Sequence, residues 1–309
     1  MPRPDVVCLG ILVADVVVRS VDSLPLTGTL GLVDSIDLRG GGCALNTASV
    51  LSRLGLRAAV IGKVGSDALG SFLIDQMSQR GVSAAAVVRD PVVPTSASVA
   101  LVNTAGERTF LHSVGANATL HADEFSEAAF AGRALHIGGA LALEALDREW
   151  TAALLAEARQ RGLHTSLDTV YDASGRWSRV VSALPYCDLA TPGLAEALAI
   201  TGESDPPRAA RRLCELGVRV AAVTVGSDGC YLCSDEVCCH VPGFDVVVRD
   251  GTGAGDAFAA GFLYGSLAGW PAVHCAQFAN AAGALATTAI GAYAATATIT
   301  ETLRLAGLL

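Results

Sequence analysis

The sequence predicts an α/β protein in which a central, mostly parallel β-sheet carries helices on both faces. Three observations support this fold class. From about residue 134 onward, short apolar strands alternate with helical segments, the pattern that right-handed crossovers between parallel strands produce. The run from residue 6 to 14 is continuously apolar, which is typical of a strand buried on both faces. The stretches 16–40 and 84–115 are rich in β-prone residues, and they predict a second, smaller sheet.

The alternating part of the chain predicts strands and helices in a regular order. Candidate strands are Ala134 to Ile137, Thr165 to Asp168, Leu189 to Thr191 and Ala221 to Val225, and candidate helices are Asp147 to Arg161, Leu194 to Thr201 and Pro207 to Leu216. Nearer the N-terminus we expect a helix from Ala44 to Leu54, then a strand from Ala58 to Gly62 and a helix from Asp67 to Gln79. A hairpin pattern within 95–111 would join the 16–40 segment in a small sheet able to cover a site.

Composition and charge argue against several classes of protein. The 309 residues are 51% hydrophobic and 17% charged, which is enough apolar material for a large core. A net charge of −9 and the lack of any basic run argue against a nucleic-acid or anionic membrane surface. The N-terminus lacks the layout of a signal peptide, and the apolar stretch from Phe278 to Tyr293 is interrupted by polar residues, which predicts a buried helix rather than a membrane span. We therefore expect a cytoplasmic protein.

Nine cysteines are scattered along the chain, mostly within apolar runs, a pattern that suits a reducing compartment. A cluster of soft ligands that could bind zinc contains Cys230, Cys233, Cys238, Cys239 and His240. The cluster flanks a predicted hairpin turn, and positions 230 and 233 of one strand point to opposite faces. The sequence therefore favours ordinary strand cysteines over a zinc site.

The stretch from Asp250 to Asp256 joins a β-prone run, residues 244–249, to a small-residue helix that begins near Ala257. Three glycines within five positions let the backbone turn tightly, and the helix N-terminus offers unpaired N–H groups to an anion. Asp256 falls in the first helical turn, where the helix dipole favours its ionised form. The stretch predicts either a phosphate cradle or an ordinary strand-to-helix turn that Asp256 caps.

Three other places combine polar residues with glycine or strand ends. Asp15 follows the first apolar run, at the edge where open α/β sheets bind ligands, although a turn or capping role is the simpler explanation. The triple glycine 40–42 opens a helix that carries Asn46 one turn in, which predicts either close approach of a polar ligand or a flexible joint. The turn from Val223 to Gly229 ends a strand with hydroxyl groups and glycines.

In their combination these motifs resemble the ribokinase-like (PfkB) carbohydrate kinase family. The two glycine signatures are Gly41-Gly42-x-x-x-Asn46, followed by Leu54-Gly55, and, much later in the chain, Gly253-Ala254-Gly255-Asp256-Ala257-Phe258. The accessory motifs, in the family's order and spacing, are Asp15 after the first strand, Ile61 to Asp67, Thr224 to Gly229, and Phe278 to Ala282. The resemblance covers essentially the whole chain and implies one ribokinase-like domain over residues 1–309, with a lid formed by about 16–40 and 95–111.

The resemblance implies an enzyme that transfers the γ-phosphoryl group of ATP to a hydroxymethyl group of a sugar or nucleoside. By this likeness Asp256 is the catalytic base, and the backbone N–H groups of Gly253, Ala254 and Gly255 form an anion hole. The implied substrate-binding residues are Asp15, Gly41, Gly42, Asn46 and Arg108, and the implied nucleotide-binding residues are Thr224, Gly226, Gly229 and Asn280. For Arg108, on the lid hairpin, a solvated strand charge is an equal alternative.

The likeness also implies Mg²⁺, together with K⁺ in those members that use a monovalent cation. Glu196 is present at a position that helps to organise Mg²⁺, but Gly193 stands where the family commonly has Asn. Gly251 stands where family members often have Thr, while Asp250 and Thr252 still offer oxygens to a monovalent cation.

A sugar kinase is favoured over a nucleoside kinase of the same fold, because an aromatic content of 5% leaves few rings to stack on a base. The rings that remain available are Phe110, Trp177 and Phe244. A nicotinamide-dependent oxidoreductase is not supported, since the first turn lacks Gly-x-Gly-x-x-Gly. Gly193 leaves a non-catalytic sensor open, but the retained Asp256 favours turnover. An exposed edge of the lid sheet would favour a homodimer.

Overall fold

The computed structural model describes residues 3–147, 150–170, 175–291 and 297–309. The strands within these ranges are β1 (Val6–Gly10), β2 (Val13–Arg19), β3 (Ser35–Gly41), β4 (Ala58–Gly65), β5 (Ser83–Asp90), β6 (Ala97–Val102), β7 (Arg108–Ser113), β8 (Ala134–Ala140), β9 (His164–Thr169), β10 (Leu189–Ala190), β11 (Val220–Thr224), β12 (Cys230–Ser234) and β13 (Cys238–Val241). The helices are α1 (Cys43–Arg53), α2 (Ala68–Gln79), α3 (Trp150–Gln160), α4 (Ser178–Val181), α5 (Leu194–Thr201), α6 (Pro206–Glu215), α7 (Ala254–Leu267), α8 (Ala272–Ala286) and α9 (Ile299–Ala306).

Nine of the described strands form one large sheet, in the order β13-β12-β11-β10-β9-β8-β1-β4-β5. Neighbouring strands run parallel from β11 to β5, and the edge strands β12 and β13 join antiparallel. On one face α1, α7 and α8 pack through residues such as Leu45, Phe262 and Phe278. On the other face α3 and α6 pack through residues such as Leu155 and Leu213. This architecture confirms the predicted central sheet with helices on both faces.

The other four described strands form a small sheet in the order β3-β2-β6-β7. In this sheet β2 pairs antiparallel with β3 and parallel with β6, and β6 pairs antiparallel with β7. Directly paired residues point to the same face of a sheet. The pairing therefore places on one face, called here the inner face, the polar residues Asp15, Arg39, Ser98, His112 and Arg108. The predicted second sheet is confirmed, although β5 belongs to the edge of the large sheet instead.

The apolar run from residue 6 to 14 is two strands, so the prediction of one continuous strand is wrong. The first strand, β1, ends at Gly10, and β2 begins at Val13 and leaves the large sheet for the small one. Asp15 therefore lies within a strand of the small sheet and not at the end of β1. The residues on both sides of the break are buried, and for this reason the hydrophobic pattern could not reveal it.

The β-prone run 244–249 forms no strand in the structure, which corrects a second prediction. The last strand of the large sheet, β13, ends at Val241, and no described strand pairs with the run. Val247 and Val248 are 80% and 62% exposed. Their β-branched side chains favour an extended backbone, but a strand also needs a hydrogen-bonded neighbour.

The observed bounds of the helices lie closer to the predicted bounds than is the case for these two β-prone runs. The bounds of α5 are those predicted, and α7 begins a few residues before the expected start, so that Asp256 does lie in its first turn. Of the predicted helix from Asp147 to Arg161, the structure describes Trp150–Gln160 as helical and Asp147 as part of a turn; positions 148 and 149 lie outside the described residues. The final helix, α9, was not predicted, although its Thr298–Glu301 capping box is a sequence signal. None of the helices described here is both long and apolar enough to cross a lipid bilayer.

The predicted hairpin around Ser234-Asp235-Glu236 is present as β12 and β13. Cys233 and Cys238 lie directly opposite each other in it and are joined by a disulfide, with their Cα atoms 4.1 Å apart. The cysteine spacing did not predict this bond, which departs from the reduced cysteines that the sequence led us to expect. Neither sulfur is available as a thiolate ligand for zinc while the bond is formed.

Candidate active site

Asp256 lies in the first turn of α7 and is only 8% exposed. Its Oδ2 accepts a hydrogen bond of 2.8 Å from Nδ2 of Asn46 on α1, and the thiol of Cys43 is a second donor. Burial raises the pKa of Asp256 to about 6; the two hydrogen bonds lower it, and the charge of Glu196 raises it further. A carboxylate with this proton affinity suits the role of a general base near neutral pH.

The loop before Asp256 leaves room for an anion. Gly253, the residue before α7, has a φ of 78°, a conformation that favours glycine. A Cβ atom added to Gly251 or Gly255 would meet nothing within 4 Å, so open space lies beside both residues. The N–H of Ala254 donates a long bond of 3.3 Å to the carbonyl of Gly251, and the N–H of Gly255 has no partner among the described residues. Such N–H groups at a helix N-terminus can bind phosphate oxygens.

Two glycines at the end of β3 allow a carboxylate to approach the backbone closely. A Cβ atom on Gly41 would lie 2.4 Å from Oδ2 of Asp15 on the neighbouring strand. Gly42 has a φ of 94°, and its Cβ would lie 2.3 Å from the carbonyl oxygen of Ile11. Any side chain at either position would displace these oxygens.

The polar groups beside these glycines are suited to bind hydroxyl groups. Burial raises the pKa of Asp15 to about 6, although a hydrogen bond with Ser98 lowers it. The Oδ1 atom of Asn46 is buried and has no hydrogen-bond partner in the described part of the chain. Since buried polar atoms are normally paired, this acceptor would gain a partner from the hydroxyl of a bound ligand.

The turn after β11 contains three of the predicted nucleotide-binding residues. Thr224 ends the strand and forms a β-bridge with Gly193. Gly226 and Gly229 have φ values of 65° and 96°. A Cβ atom on Gly229 would lie 2.2 Å from the carbonyl oxygen of Val241, so glycine lets the turn contact the end of β13.

Asn280, the fourth predicted nucleotide-binding residue, is buried on α8. Its Nδ2 donates hydrogen bonds of 3.0 and 3.1 Å to the carbonyl oxygens of Val241 and Pro242. These bonds use the amide donors and fix the chain where it leaves β13. In this structure the Asn280 amide therefore holds the backbone at Val241 and Pro242.

Glu196 in the first turn of α5 belongs to a cluster of acidic residues. Its Oε2 accepts hydrogen bonds from Oγ1 of Thr169 at 2.6 Å and from the N–H of Gly193 at 3.0 Å. Burial raises the pKa of Glu196, although these two bonds lower it. Burial also raises the pKa of Asp168, at the end of β9, well above its usual range, and the charges of Asp256 and Glu196 add to this rise. A cation bound beside these carboxyl groups would favour their ionised forms and lower their pKa values.

Two further residues contact or influence Asp256 in ways that the sequence did not predict. Asp168 ends a predicted strand, and the strand-end rule that singled out Asp15 would have found it. Cys43 occupies an unspecified position of the first glycine signature, and no sequence signal marks its contact with Asp256.

Arg108 contacts the loop before α7. Its Nη2 lies 2.7 Å from Oδ1 of Asp250, and its Nη1 donates a hydrogen bond to Oγ1 of Thr252. The guanidinium is therefore paired with this loop and is not a solvated strand charge. The two residues expected to offer oxygens to a monovalent cation both bind Arg108 instead.

The structure thus brings the sequence-predicted residues together in separate groups. The groups joined by hydrogen bonds or close backbone approach are Asp256 with Asn46, Asp15 with Gly41, Asp250 with Thr252 and Arg108, and Glu196 with Gly193. Thr224 and Asn280 belong to the far end of the large sheet, beside β12 and β13. The open loop at 251–253 precedes α7, the helix that carries Asp256.

The family model for pfkB family carbohydrate kinases matches residues 3–299. This chain belongs to that family. Fructokinase of Vibrio alginolyticus is a pfkB-like relative that is 30% identical over 284 residues, which cover 86% of this chain and 91% of the relative.

Solved structures confirm the ribokinase-like fold for this pfkB-family chain. Ribokinase of Arabidopsis thaliana, complexed with ribose and ATP, superposes with a TM-score of 0.84 at 23% identity and covers 98% of this chain and 99% of that one. A ribokinase II candidate from E. coli, solved with ATP and Mg²⁺, superposes with a TM-score of 0.83 at 22% identity and covers 98% of each chain.

Proposed function

We propose that this pfkB-family protein is an ATP-dependent sugar kinase that transfers the γ-phosphoryl group to a hydroxymethyl group of a small carbohydrate. The observation that carries the proposal is the geometry of Asp256. Its buried carboxylate, held by Asn46, stands in the first turn of a helix whose preceding glycine loop is open to a ligand. Family membership and the fructokinase relative support the same reaction class.

The proposed reaction uses Asp256 as the base. The carboxylate takes the proton of the hydroxymethyl group as its oxygen attacks the γ-phosphorus, the bond from that phosphorus to the bridging oxygen breaks, and ADP leaves. The N–H groups of Gly253, Ala254 and Gly255 stabilise the charge on the phosphoryl group during transfer. On the substrate side, Asp15 and Asn46 bind hydroxyl groups, while Gly41 and Gly42 let the backbone approach.

The nucleotide would lie over the turn after β11. We propose that Thr224, Gly226 and Gly229 contact the nucleotide, a role supported by their place at the end of β11 and in the turn after it, and that Asn280 holds the adjacent backbone at the end of β13. The Arabidopsis and E. coli structures with the same fold were solved with ATP, which supports a nucleotide site of this kind.

The acidic cluster around Glu196 fits a hydrated Mg²⁺. Burial raises the pKa of both Asp168 and Glu196, and the charges of Asp256 and Glu196 raise that of Asp168 further, while no positive side chain among the described residues lowers either pKa. We propose that Glu196 and Asp168 hold the ion through water molecules. The Asn that family members commonly have at the position of Gly193 is then not required. When bound, Mg²⁺ neutralises charge on the ATP phosphates.

The whole chain is proposed to act as one kinase domain, with the small sheet as its lid. The lid segments expected from the sequence, 16–40 and 95–111, contain most of the four strands of this sheet. Its inner face carries Asp15 and Arg108 and would face the bound sugar. A lid closed over the sugar would exclude water, which competes with the sugar as the phosphoryl acceptor. ATP as the phosphoryl donor suits the cytoplasmic location expected from the sequence.

A second copy of the chain is the proposed partner of the outer face of the lid. The register places apolar residues on that face: Val16, Val18, Ile36, Leu38, Val99, Leu101 and Leu111. Ile36 and Leu111 are 67% and 61% exposed, and burying such a patch against its own copy forms a symmetric dimer. Light scattering on the purified chain tests this proposal.

A nucleoside kinase is the second candidate, favoured by one observation. Phe110 points to the inner face of the lid, two residues along β7 from Arg108, and is 58% exposed. An aromatic ring there could stack on a base.

An ATP-consumption screen distinguishes the two candidates. The purified protein would be assayed with Mg²⁺ against hexoses, pentoses, keto-acid sugars and nucleosides, with the Asp256→Asn variant as the blank for contaminating kinases. Consumption above the blank with a sugar supports the proposal, and consumption with nucleosides alone supports the second candidate. Consumption with neither class would overturn both.

A further inference from the structure

Arg108 connects the lid to the loop that precedes the proposed catalytic helix. It lies on β7, at the edge of the small sheet, and its side chain is 28% exposed. One end of its guanidinium is paired with Oδ1 of Asp250 and the other donates to Oγ1 of Thr252. This two-point contact suits the planar fork of arginine, which lysine cannot reproduce.

Asp250 in turn organises the loop. Its Oδ1 accepts the N–H of Thr252 over 2.8 Å, and its Oδ2 accepts the N–H of Gly291 over 2.9 Å. Burial raises the pKa of Asp250, but the bonds from Thr252 and Gly291 and the charge of Arg108 outweigh it and leave the pKa below its usual value. An ionised carboxylate therefore ties the start of the glycine loop to the segment after α8 and requires a positive partner.

A second arginine of the lid contacts the same region. Nη1 of Arg39, on β3, donates a hydrogen bond to the carbonyl oxygen of Ile290, next to the Gly291 that binds Asp250. Arg39 and Arg108 lie on the two opposite edge strands of the small sheet and on its inner face. The lid thus reaches the Asp250 region from both of its edges.

These contacts argue against the binding of a monovalent cation to the side chains of Asp250 and Thr252. Two side-chain oxygens that could coordinate K⁺, Oδ1 of Asp250 and Oγ1 of Thr252, both face the guanidinium of Arg108. A potassium ion bound to the same two oxygens would have to displace Arg108, because two cations in one place repel each other. The residues present therefore do not fit K⁺ while the lid holds this position.

We propose that Arg108 is a positioning residue that supplies, from the lid, the positive charge required at Asp250 and Thr252, so that the kinase needs no K⁺. The inference rests on the proposed kinase function. Lid closure and the ordering of the glycine loop become one event, since the same arginine takes part in both. The reacting groups on this loop are then fully arranged only when the lid covers the substrate.

Kinetics with and without K⁺ test the proposal. Turnover would be measured in KCl and in tetramethylammonium chloride at equal ionic strength for the wild type, Arg108→Gln and Arg19→Gln. Arg19 is a matched control, because the register puts it in the same row and on the same face as Arg108 and it has no ion pair in the described ranges.

We expect the wild type and Arg19→Gln to have the same turnover in both salts. Without K⁺, the kcat of Arg108→Gln should fall by about tenfold to a hundredfold, because the catalytic loop is misplaced. With K⁺, part of this kcat should return, because the ion can reach the oxygens that Arg108 has vacated. Rescue by K⁺ separates positioning by charge from a general loss of structure. A wild type that K⁺ activates about tenfold, or an Arg108→Gln variant that behaves like Arg19→Gln, would overturn the proposal.

Hydrogen exchange provides a test that does not depend on turnover. In Arg108→Gln the amides of 108–113 and 250–256 should exchange about tenfold faster than in the wild type, because the contact that joins the two segments is lost. Arg19→Gln should leave both segments unchanged. If no sugar is phosphorylated but this exchange pattern is found, the proposed function fails and the Arg108 contact stands; equal exchange in all three proteins overturns the contact itself.

Discussion

The side chains of Asn46 and Asp256, which are 210 positions apart in the sequence, form a buried hydrogen bond in which Nδ2 donates to Oδ2 over 2.8 Å. This bond joins α1 to α7. The first helix follows Gly41 and Gly42, and the second follows the glycine loop. It orients the proposed base and holds the amide so that its Oδ1 is left without a described partner. One interaction thus positions both the base and a group that can bind the substrate.

The first prediction concerns this base. Asp256→Asn should keep the fold and ATP binding, because the amide has the same shape and keeps an oxygen to accept from Asn46. Phosphoryl transfer should fall by about 10²- to 10⁴-fold, the range expected for loss of a general base. A coupled ADP assay and calorimetric titration with ATP measure the two effects. Turnover near the wild-type level would remove Asp256 from the role of base.

The second prediction uses the same substitution to test the pKa of Asp256. The folded-state pKa of about 6 lies above the ordinary value of 3.8, so the ionised form costs free energy in the folded protein. This cost is fully present above pH 6 and vanishes as the pH falls through 6 toward 3.8. Asp256→Asn should therefore raise the free energy of unfolding by about 1–3 kcal/mol at pH 7.5, and the gain should shrink toward zero near pH 4.

Denaturant unfolding at the two pH values checks this sign. Asp75→Asn is a suitable control, because Asp75 is exposed on α2 and its substitution should change stability by less than about 0.5 kcal/mol at either pH. If Asp256→Asn were less stable than the wild type at pH 7.5, burial would not be the dominant influence on this carboxyl group.

Local motifs predicted that Asp256 lies in the first turn of a helix that follows closely spaced glycines, and the structure confirms this position. The role of Asp256 as a base came from the family resemblance and stays a prediction. The pairing of Arg108 with Asp250 spans 142 positions, and no local pattern reports which face of a lid strand meets which loop. The break between β1 and β2 was hidden for a different reason: both strands are buried where they meet, so their hydrophobic patterns merge. For the run 244–249 the sequence predicted β-structure that does not form. Its residues have a high β-propensity, but propensity does not show whether a neighbouring strand is available for pairing.

The third prediction addresses the proposed Mg²⁺ site. Glu196→Gln removes one negative charge from the cluster with Asp168 and Asp256 and should raise the Mg²⁺ concentration for half-maximal activity by about tenfold, while saturating Mg²⁺ restores most of the rate. Glu203→Gln, just beyond the end of the same helix, is the control and should leave the titration unchanged. An unchanged Mg²⁺ titration in Glu196→Gln would remove this residue from the metal site.

The fourth prediction concerns the close approach of Gly41 to Asp15. A Cβ atom at position 41 would lie 2.4 Å from Oδ2 of Asp15, far inside contact distance, so Gly41→Ala must move the carboxylate or the strand. If Asp15 binds a substrate hydroxyl, the KM for the sugar should rise by about tenfold or more, as expected when a charged hydrogen bond is lost, while the KM for ATP stays within about twofold.

Gly31→Ala is the matched control for this substitution. Gly31 lies in the loop between β2 and β3 of the same small sheet, and its added Cβ would meet only Pro25, at an ordinary contact distance of 3.6 Å. Both variants would be compared by steady-state kinetics with each substrate varied in turn. Equal sugar KM values for Gly41→Ala and Gly31→Ala would show that the position of Asp15 does not determine sugar binding, because only the first variant forces that carboxylate to move.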